Sequence, residues 1–268
     1  MTDIAGKTSL SININKIALV RNSRAGNYPD LIEHARMILA AGADGITVHP
    51  RPDQRHVRAS DCAPLKKLCD GFGVEFNIEG NPFAPAMRST RADVGDYPGF
   101  MEIIRTLRPA QATLVPDGDA QLTSDHGFDL TRDGDRLVPL LAELKALGVR
   151  SSLFMDPVPA QIELAKKIGA DRIELYTGPY ASTFSAQTAQ SVLKPYADAA
   201  ALCQQLGLGL NAGHDLNLHN LALFATVPQL REVSIGHAFT VDSWQYGLAG
   251  TVARYQQCLG KTPPPPRP

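Results

Sequence analysis

The chain has 268 residues, 44% of them hydrophobic, enough for the core of one large α/β domain or two small ones. Its 26 lysines and arginines nearly balance 27 acidic residues, so no basic field points to nucleic acid, while a local arginine cluster for small anions stays compatible. The four cysteines (Cys62, Cys69, Cys203, Cys258) form no CxxC pair and read as reduced thiols, not as a zinc site or disulfide set.

The first strand is expected near Asn13, with Ser11, Asn13 and Asn15 on one face and Ile12 and Ile14 on the other; Asn15 and Lys16 close it. A helix over 31–41 ends at Gly42, and strand two near Thr47 sets Thr47 and His49 against Ile46 and Val48. Strand three places Glu75, Asn77 and Glu79 together on one face. A proline-, glycine- and charge-rich connection, 81–98, follows as a partly ordered flap. After strand four, near Thr113, the segment PDGDAQLTSDHGFD (116–129) reads as a mobile lid.

A helix over 137–147 ending at Gly148 leads to strand five near Leu153, and a helix over 160–168 ends at Gly169. Strand six puts Arg172, Glu174 and Tyr176 opposite Ile173 and Leu175. A helix over 197–206 stops at Gly207, ahead of strand seven near Leu210 with its NAGH ending. A helix over 218–225 then precedes strand eight, where Ser234 and Gly236 oppose Val233 and Ile235. Residues 261–268 are mostly proline and are expected to be a disordered tail behind a single catalytic domain over 1–260.

Eight strand–helix units at this length fit a (β/α)8 TIM barrel. An open doubly wound sheet is the competing arrangement, but no GxGxxG turn follows the first strand. Strands of a parallel sheet are normally apolar on both faces, so repeated polar faces mark a wet, chemical lumen. In a barrel the strand ends converge on one mouth. That brings Asn13, Asn15, Lys16 and the RNSR segment together with His49, Arg51 and Arg55-His56, then Glu79, His214 and Gly236-His237. Arginine forks match phosphate oxygens, glycines free backbone N–H groups for an anion, and histidine with a buried glutamate carries protons near neutral pH. Sharing a lumen with Glu75 and Glu174, Glu79 is expected to have a raised pKa.

In order along the chain, NIxxIAxxRNSR, GADGITVHPRxDxRH, EFNIE, TLVP, SLFMD, IELYTGPYA, GLNAGH and SIGHA resemble the pyridoxine 5′-phosphate synthase family, over nearly the whole length. The resemblance implies a transferase of vitamin B6 (pyridoxal phosphate) biosynthesis. It would condense 1-deoxy-D-xylulose 5-phosphate with 3-amino-2-oxopropyl phosphate into pyridoxine 5′-phosphate, releasing phosphate and water. It also implies acid–base catalysis with no metal or other cofactor, a barrel with extra helices, and a cytoplasmic homo-octamer whose partners are small phosphorylated substrates.

By the same resemblance, His49, Glu79 and His214 carry protons. Asn13, Arg24, Gly236 and His237, with Asp215, hold the amino-ketone phosphate. Arg51, His56 and Thr123, with Asn15 and Lys16, hold the deoxyxylulose phosphate. The chain departs from the family's commonest pattern at Asn15-Lys16, where Asp-His is usual, and at the acidic run from Pro116 to Asp119, where the lid is usually basic. It departs again at Asp215, where glycine is usual, and the 81–98 flap is an insertion relative to many members.

Two other functions fit parts of the same pattern. A metal-dependent sugar-phosphate isomerase or epimerase would use Glu79, Asp156, Glu174 and His214 as ligands. A non-catalytic barrel would bind a phosphorylated metabolite without turning it over. His34, His126 and His219 read as surface or loop histidines, and Glu75 and Glu174 read equally as solvation of the interior or as chemistry. No N-terminal signal peptide is evident and no apolar run is long enough for a bilayer, so no membrane partner is expected.

Overall fold

The computed structural model describes residues 8–118 and 121–262. The expected tail over 261–268 lies outside the described residues from 263 onward, and Asp119 of the lid lies outside them too. The chain opens with β1 (Ser9–Asn13), α1 (Asn15–Asn22), α2 (Leu31–Ala40), β2 (Gly45–Val48), α3 (Ala59–Phe72) and β3 (Glu75–Gly80). It continues with α4 (Phe100–Leu107), β4 (Gln111–Leu114), α5 (Leu130–Ala146), β5 (Arg150–Met155), α6 (Pro159–Lys167) and β6 (Arg172–Tyr176). It closes with α7 (Gly178–Thr183), α8 (Ala189–Leu206), β7 (Gly209–Gly213), α9 (Leu221–Phe224), β8 (Leu230–Ile235) and α10 (His237–Cys258).

All eight strands run parallel, each beside its neighbour in sequence, and β8 pairs with β1 to close the barrel. The chain is a (β/α)8 barrel. The extra helices are α1 before α2 and α7 before α8, so two of the crossovers carry a pair. Residues that face away from the lumen, such as Leu10, Ile12, Ile46, Val48, Ile78, Ile173, Leu175, Val233 and Ile235, are buried against the helix layer.

Local chemistry explains most boundaries. Asp30 caps α2 by accepting from the N–H groups of Ile32 and Glu33, and Asp129 caps α5 by accepting from that of Thr131. Gly42, Gly148, Gly169 and Gly207 all take positive φ just beyond helices, as expected of C-caps. Two helices begin earlier than expected, α5 at Leu130 and α8 at Ala189, and each runs through a proline (Pro139, Pro195). Both prolines are exposed, as are Asp135 and Ser191 one turn before, so the carbonyls they leave unpaired can turn to water.

The first strand needs a correction. It stops at Asn13, and Asn15 and Lys16 are not strand residues but the first turn of α1. The Asn13 side chain accepts the Asn15 N–H (3.0 Å) and so turns the chain into the helix.

Closure is reinforced at the end of the barrel away from the site. Asp44 accepts from the Leu10 N–H (2.8 Å), from Lys261 Nζ (2.7 Å) and from Gln256 Nε2 (3.3 Å), which also donates to the Gly42 carbonyl (2.7 Å). This one carboxylate ties the end of the C-terminal helix to β1. Substituting Asp44→Ala is expected to lower stability by about 1–2 kcal/mol, discounted for partial exposure, with turnover at low temperature unchanged. Thermal unfolding and a rate measurement at two temperatures check it; an unchanged Tm would contradict the tie.

Candidate active site

Strand alternation builds a polar column through the barrel. Ser11 and Thr47 share a hydrogen bond (2.7 Å), Asn77 donates to Thr47 (3.4 Å), and Thr113 donates to Asn77 (3.1 Å) and to Glu174 (3.4 Å). Lower down, Gln111 accepts from Arg150 (2.9 Å) and Asn211 (3.2 Å), and Arg172 donates to Asn211 (3.1 Å) and lies 3.8 Å from Glu232. Glycines make room for these side chains. A Cβ on Gly213 would stand 2.6 Å from Glu174 Oε1 and 2.9 Å from the Ser234 carbonyl, a separation that real Cβ atoms do not tolerate.

The carboxyl groups in this column sit where water is scarce. Burial, and then the neighbouring Glu232, push the Glu174 carboxyl up to about 8. Burial and Glu75 push Glu232 up to about 7, against the pull of Arg172 and Arg150. Glu79, at the upper end, is raised well above the usual carboxylate range by burial and then by Glu174, Asp117 and Glu232; Arg51 opposes this. The raised Glu79 was expected, but not the whole set of causes. Glu75 is not a lumen partner of Glu79: it lies at the opposite, exposed end, ion-paired to Arg150. Four residues of strand separate them by roughly 13 Å. Glu232 takes the place foreseen for Glu75, and the same alternation that picked Ser234 and Gly236 would have found it.

The C-terminal ends of the strands open into a cavity of about 300 Å³, on the face where barrel enzymes build their sites. It is lined by Asn13, Asn15, Lys16, His49, Arg51, His56, Glu79, Thr123, His214, Asp215, Gly236 and His237, together with Ser124, Phe154, Glu174 and Ser234. Of the residues expected at the mouth, the RNSR segment and Arg55 do not line it: Arg21 is buried against Asp61, and Arg24 lies elsewhere. It is exposed, in a separate shallow depression with Asn22, Ser23, Gly26, Arg91 and Asp93.

Short bonds hold the mouth in place. Asn13 Nδ2 donates to Glu79 Oε2 (3.2 Å), and Asn15 Oδ1 accepts the His49 N–H (2.9 Å). The rings of His49 and His56 meet edge-on at 6.2 Å. Burial first and Arg51 next drive the His49 imidazole well below its usual range and His56 down to about 3, so both rings are neutral at neutral pH. Val57 N–H donates to His56 Nδ1 (2.9 Å), which places the proton of the neutral His56 ring on Nε2.

The lid folds over this mouth. Arg51 and Asp117 form a buried ion pair, Ser124 donates to the same Asp117 oxygen (2.8 Å), and Arg51 also reaches the Gln121 carbonyl (3.2 Å). Asn81, at the start of the flap, donates to the Asp117 carbonyl (2.9 Å). Asp117 is therefore more than a change of sign in the lid, because it latches the lid to a residue expected to hold phosphate. Within the flap, Met87 and Tyr97 form an antiparallel bridge and Tyr97 is buried. Thr123 meets His214 Nε2 (2.7 Å), and His214 Nδ1 faces Asp215 (3.1 Å). Among the described residues no three His, Cys, Asp or Glu side chains are disposed to hold a metal ion, and Asp156 instead accepts the Gly127 N–H (3.0 Å).

Residues 10–261 match the family described as "Pyridoxal phosphate biosynthesis protein PdxJ". A pyridoxine 5′-phosphate synthase of Xanthomonas campestris pv. campestris (strain B100) is 56% identical over 249 residues, 92% of this chain and 94% of that protein. One from Xylella fastidiosa (strain 9a5c) is 51% identical over 259 residues, 96% of this chain and 97% of its own. Among solved structures, tryptophan synthase from M. tuberculosis superposes with a TM-score of 0.62 at 10% identity, covering 95% of this chain and 94% of that one. Thiamine phosphate pyrophosphorylase from Pyrococcus furiosus gives 0.56 at 11% identity over 94% and 95%. At such identities these two structures speak for the fold alone.

The buried carboxyls carry a signature in stability. Glu174 titrates near 8 in the folded chain against an ordinary 4.5, so between these values the folded state holds a proton that the unfolded state has lost. Its contribution is fully present below about pH 4.5 and is lost as pH rises through about 8. Thermal unfolding should therefore show Tm falling across that window. Glu174→Gln should flatten the fall, and an identical slope in the two proteins would show that Glu174 enters the folded state already ionised.

Proposed function

The chain belongs to the PdxJ family of pyridoxal phosphate biosynthesis proteins, and from that premise we propose how its residues carry the synthesis of pyridoxine 5′-phosphate. It is an enzyme of vitamin B6 biosynthesis. In this reading it joins 1-deoxy-D-xylulose 5-phosphate to 3-amino-2-oxopropyl phosphate, closing the pyridine ring with loss of phosphate and water. Residues 1–260 act as one catalytic domain.

The observation that carries the reading is the grouping of three proton carriers in different states around one mouth. Glu79 is half-buried at the mouth, where loss of water and then neighbouring carboxyls favour its protonated form, His49 is a buried neutral imidazole, and His214 stands between Thr123 and Asp215. Joining an amine to a ketone and expelling water needs a base for the amine proton and an acid for the departing oxygen. Glu79, whose proton is favoured by burial and then by its acidic neighbours, serves as donor and then as acceptor. His49 is free to accept, and its backbone is fixed by Asn15. A solvated carboxylate would already have given up its proton at neutral pH and could only accept.

Two ends of the cavity suit the two phosphates. Gly236 and His237 begin α10, which is kinked at Gly247, and this N-terminus lines the mouth beside Asn13. A Cβ at Gly236 would come within 3.2 Å of Asn13, so glycine lets that backbone approach. On the other side, Lys16, Arg51 and His56 surround a position for the second phosphate, with Thr123 closing from the lid. Arg51 must exchange Asp117 for that phosphate, which couples substrate entry to the lid. The cytoplasmic homo-octamer implied by family resemblance belongs to this proposal, and a neighbouring copy is what would give the exposed Arg24 a phosphate to hold.

The test is turnover of purified protein with both phosphate substrates in the presence of a chelator, following pyridoxine 5′-phosphate and released phosphate together. Equal formation of both is expected, and Glu79→Gln should lower kcat by about 10²–10⁴-fold. Binding of either substrate without product would instead support a phosphometabolite-binding barrel. The acid limb of kcat/KM should lie below the ordinary histidine value, because His49 resists protonation. A limb at or above about 6.5 would contradict a neutral His49 base.

A further inference from the structure

The turn that follows β7 is strained in an unusual way. His214 and Asp215 are both non-glycine residues with positive φ, +70° and +52°, a backbone region that L side chains seldom occupy. Such geometry costs about 1–3 kcal/mol per residue and persists only where the surroundings impose it. Here they do. Thr177, which is buried, donates its hydroxyl to the carbonyls of Gly213 and His214. The side chains of Asn217 and Asn220 donate to the Asp215 carbonyl at 3.3 and 3.4 Å.

Glycine would take the second of these positions without strain. The chain instead carries a carboxylate there, and the turn aims it at the His214 ring: Asp215 Oδ2 lies 3.1 Å from Nδ1. The ring has little freedom to choose another orientation. Tyr176 packs against it edge-on at 5.4 Å and Phe154 at 6.3 Å, while Thr123 Oγ1 meets Nε2 at 2.7 Å.

We propose that Asp215 is a positioning residue for His214: it accepts the Nδ1–H, so that Nε2 is the atom that takes and returns the proton at the mouth. The proposal deepens the acid–base role of His214 described above and rests on it. In the step, a substrate proton moves to Nε2, the ring carries both protons and the positive charge, and Asp215 remains ionised beside it. No proton crosses to the carboxylate. The hydrogen bond with His214 also holds the Asp215 carboxyl below the usual range. The same turn directs the charge of Asp215 at the imidazole.

Other charged or titratable groups lie around the ring. Tyr176 and Glu174 come from β6, Asp117 from the lid, and His237 from the start of α10, where it also faces Asp215. Asp125 and Asp156 lie beside Tyr176. Asp215 is the one of these that hydrogen-bonds Nδ1.

Asp215→Asn, Asp215→Gly and His214→Asn are compared in the full-length protein by pH profiles of kcat, by KM and by Tm. Both Asp215 variants should lose about 10–100-fold in kcat, part of the roughly 10²–10⁴-fold that a positioned proton carrier supplies. KM should stay within a few-fold, and the pH limb that His214→Asn abolishes should move to lower pH. Tm of Asp215→Gly should equal or exceed that of the parent, because glycine relieves the strain. Kcat within about twofold of the parent and an unmoved limb in both variants, with His214→Asn inactive, would overturn the positioning role. A loss of kcat accompanied by a lower Tm and an unmoved limb would overturn it too, showing that Asp215 is structural. Full activity in His214→Asn would instead remove the reading beneath the proposal, and the proposal with it.

Discussion

Everything at this site depends on the burial of carboxyl groups inside a closed barrel. Moving an ionised carboxylate out of water is expensive, and the protein meets that expense by neutralising the group, pairing it or hydrogen-bonding it. Glu174 and Glu232 sit among Thr113, Arg172, Gln111 and Asn211, a network that satisfies them without fully compensating their charge. Burial favours a proton on Glu79, and their combined field adds to it. Lower in the column the same charges are answered by Arg150 and Arg172, and the barrel end is sealed by the Glu75–Arg150 pair. The gradient runs from compensated charge at the base to a retained proton at the mouth.

The lid extends this logic. Asp117 is buried and paired with Arg51, the cation that most directly opposes protonation of both Glu79 and Asp117. Any phosphate that draws Arg51 away from Asp117 changes the field at Glu79 and loosens the latch through Ser124 and the Gln121 carbonyl. Substrate binding, lid position and the protonation of the mouth are thus coupled through one guanidinium. A buried pair of this kind adds little net stability over an apolar contact, and here it serves as a contact to be exchanged.

Much of this was legible in the sequence. Alternation in strands β3 and β6 exposed the polar lumen, and the glycines after helices marked the repeating unit that makes a barrel. His49, Glu79, His214 and Gly236-His237 are sequence-distant, yet strand ends in a barrel meet by construction, so their convergence could be anticipated. Alternation alone does not tell one end of a lumen from the other, which is why Glu75 was drawn toward Glu79. Nor does it show where a strand stops: Asn13 hydrogen-bonds the backbone of Asn15 and starts a helix where the polar pattern continued unbroken. Arg24 follows the family motif but the end of α1 carries it to the surface. Glu232 is buried on the strand face that carries Ser234, so the same alternation extends to it. The pairing of Asp117 with Arg51 joins loops from two different strands, and only the closed barrel brings them together.

The central claim is that the mouth of this barrel holds a protonated carboxyl at neutral pH, and infrared difference spectroscopy addresses it directly. Spectra of the parent protein and of Glu79→Gln, both at pH 7, isolate the carbonyl stretch of that one side chain. The account requires the protonated-acid band in the parent and its loss in the variant. If the difference shows only carboxylate bands, Glu79 is ionised, and the arrangement of buried acids beneath it does not do what is argued above.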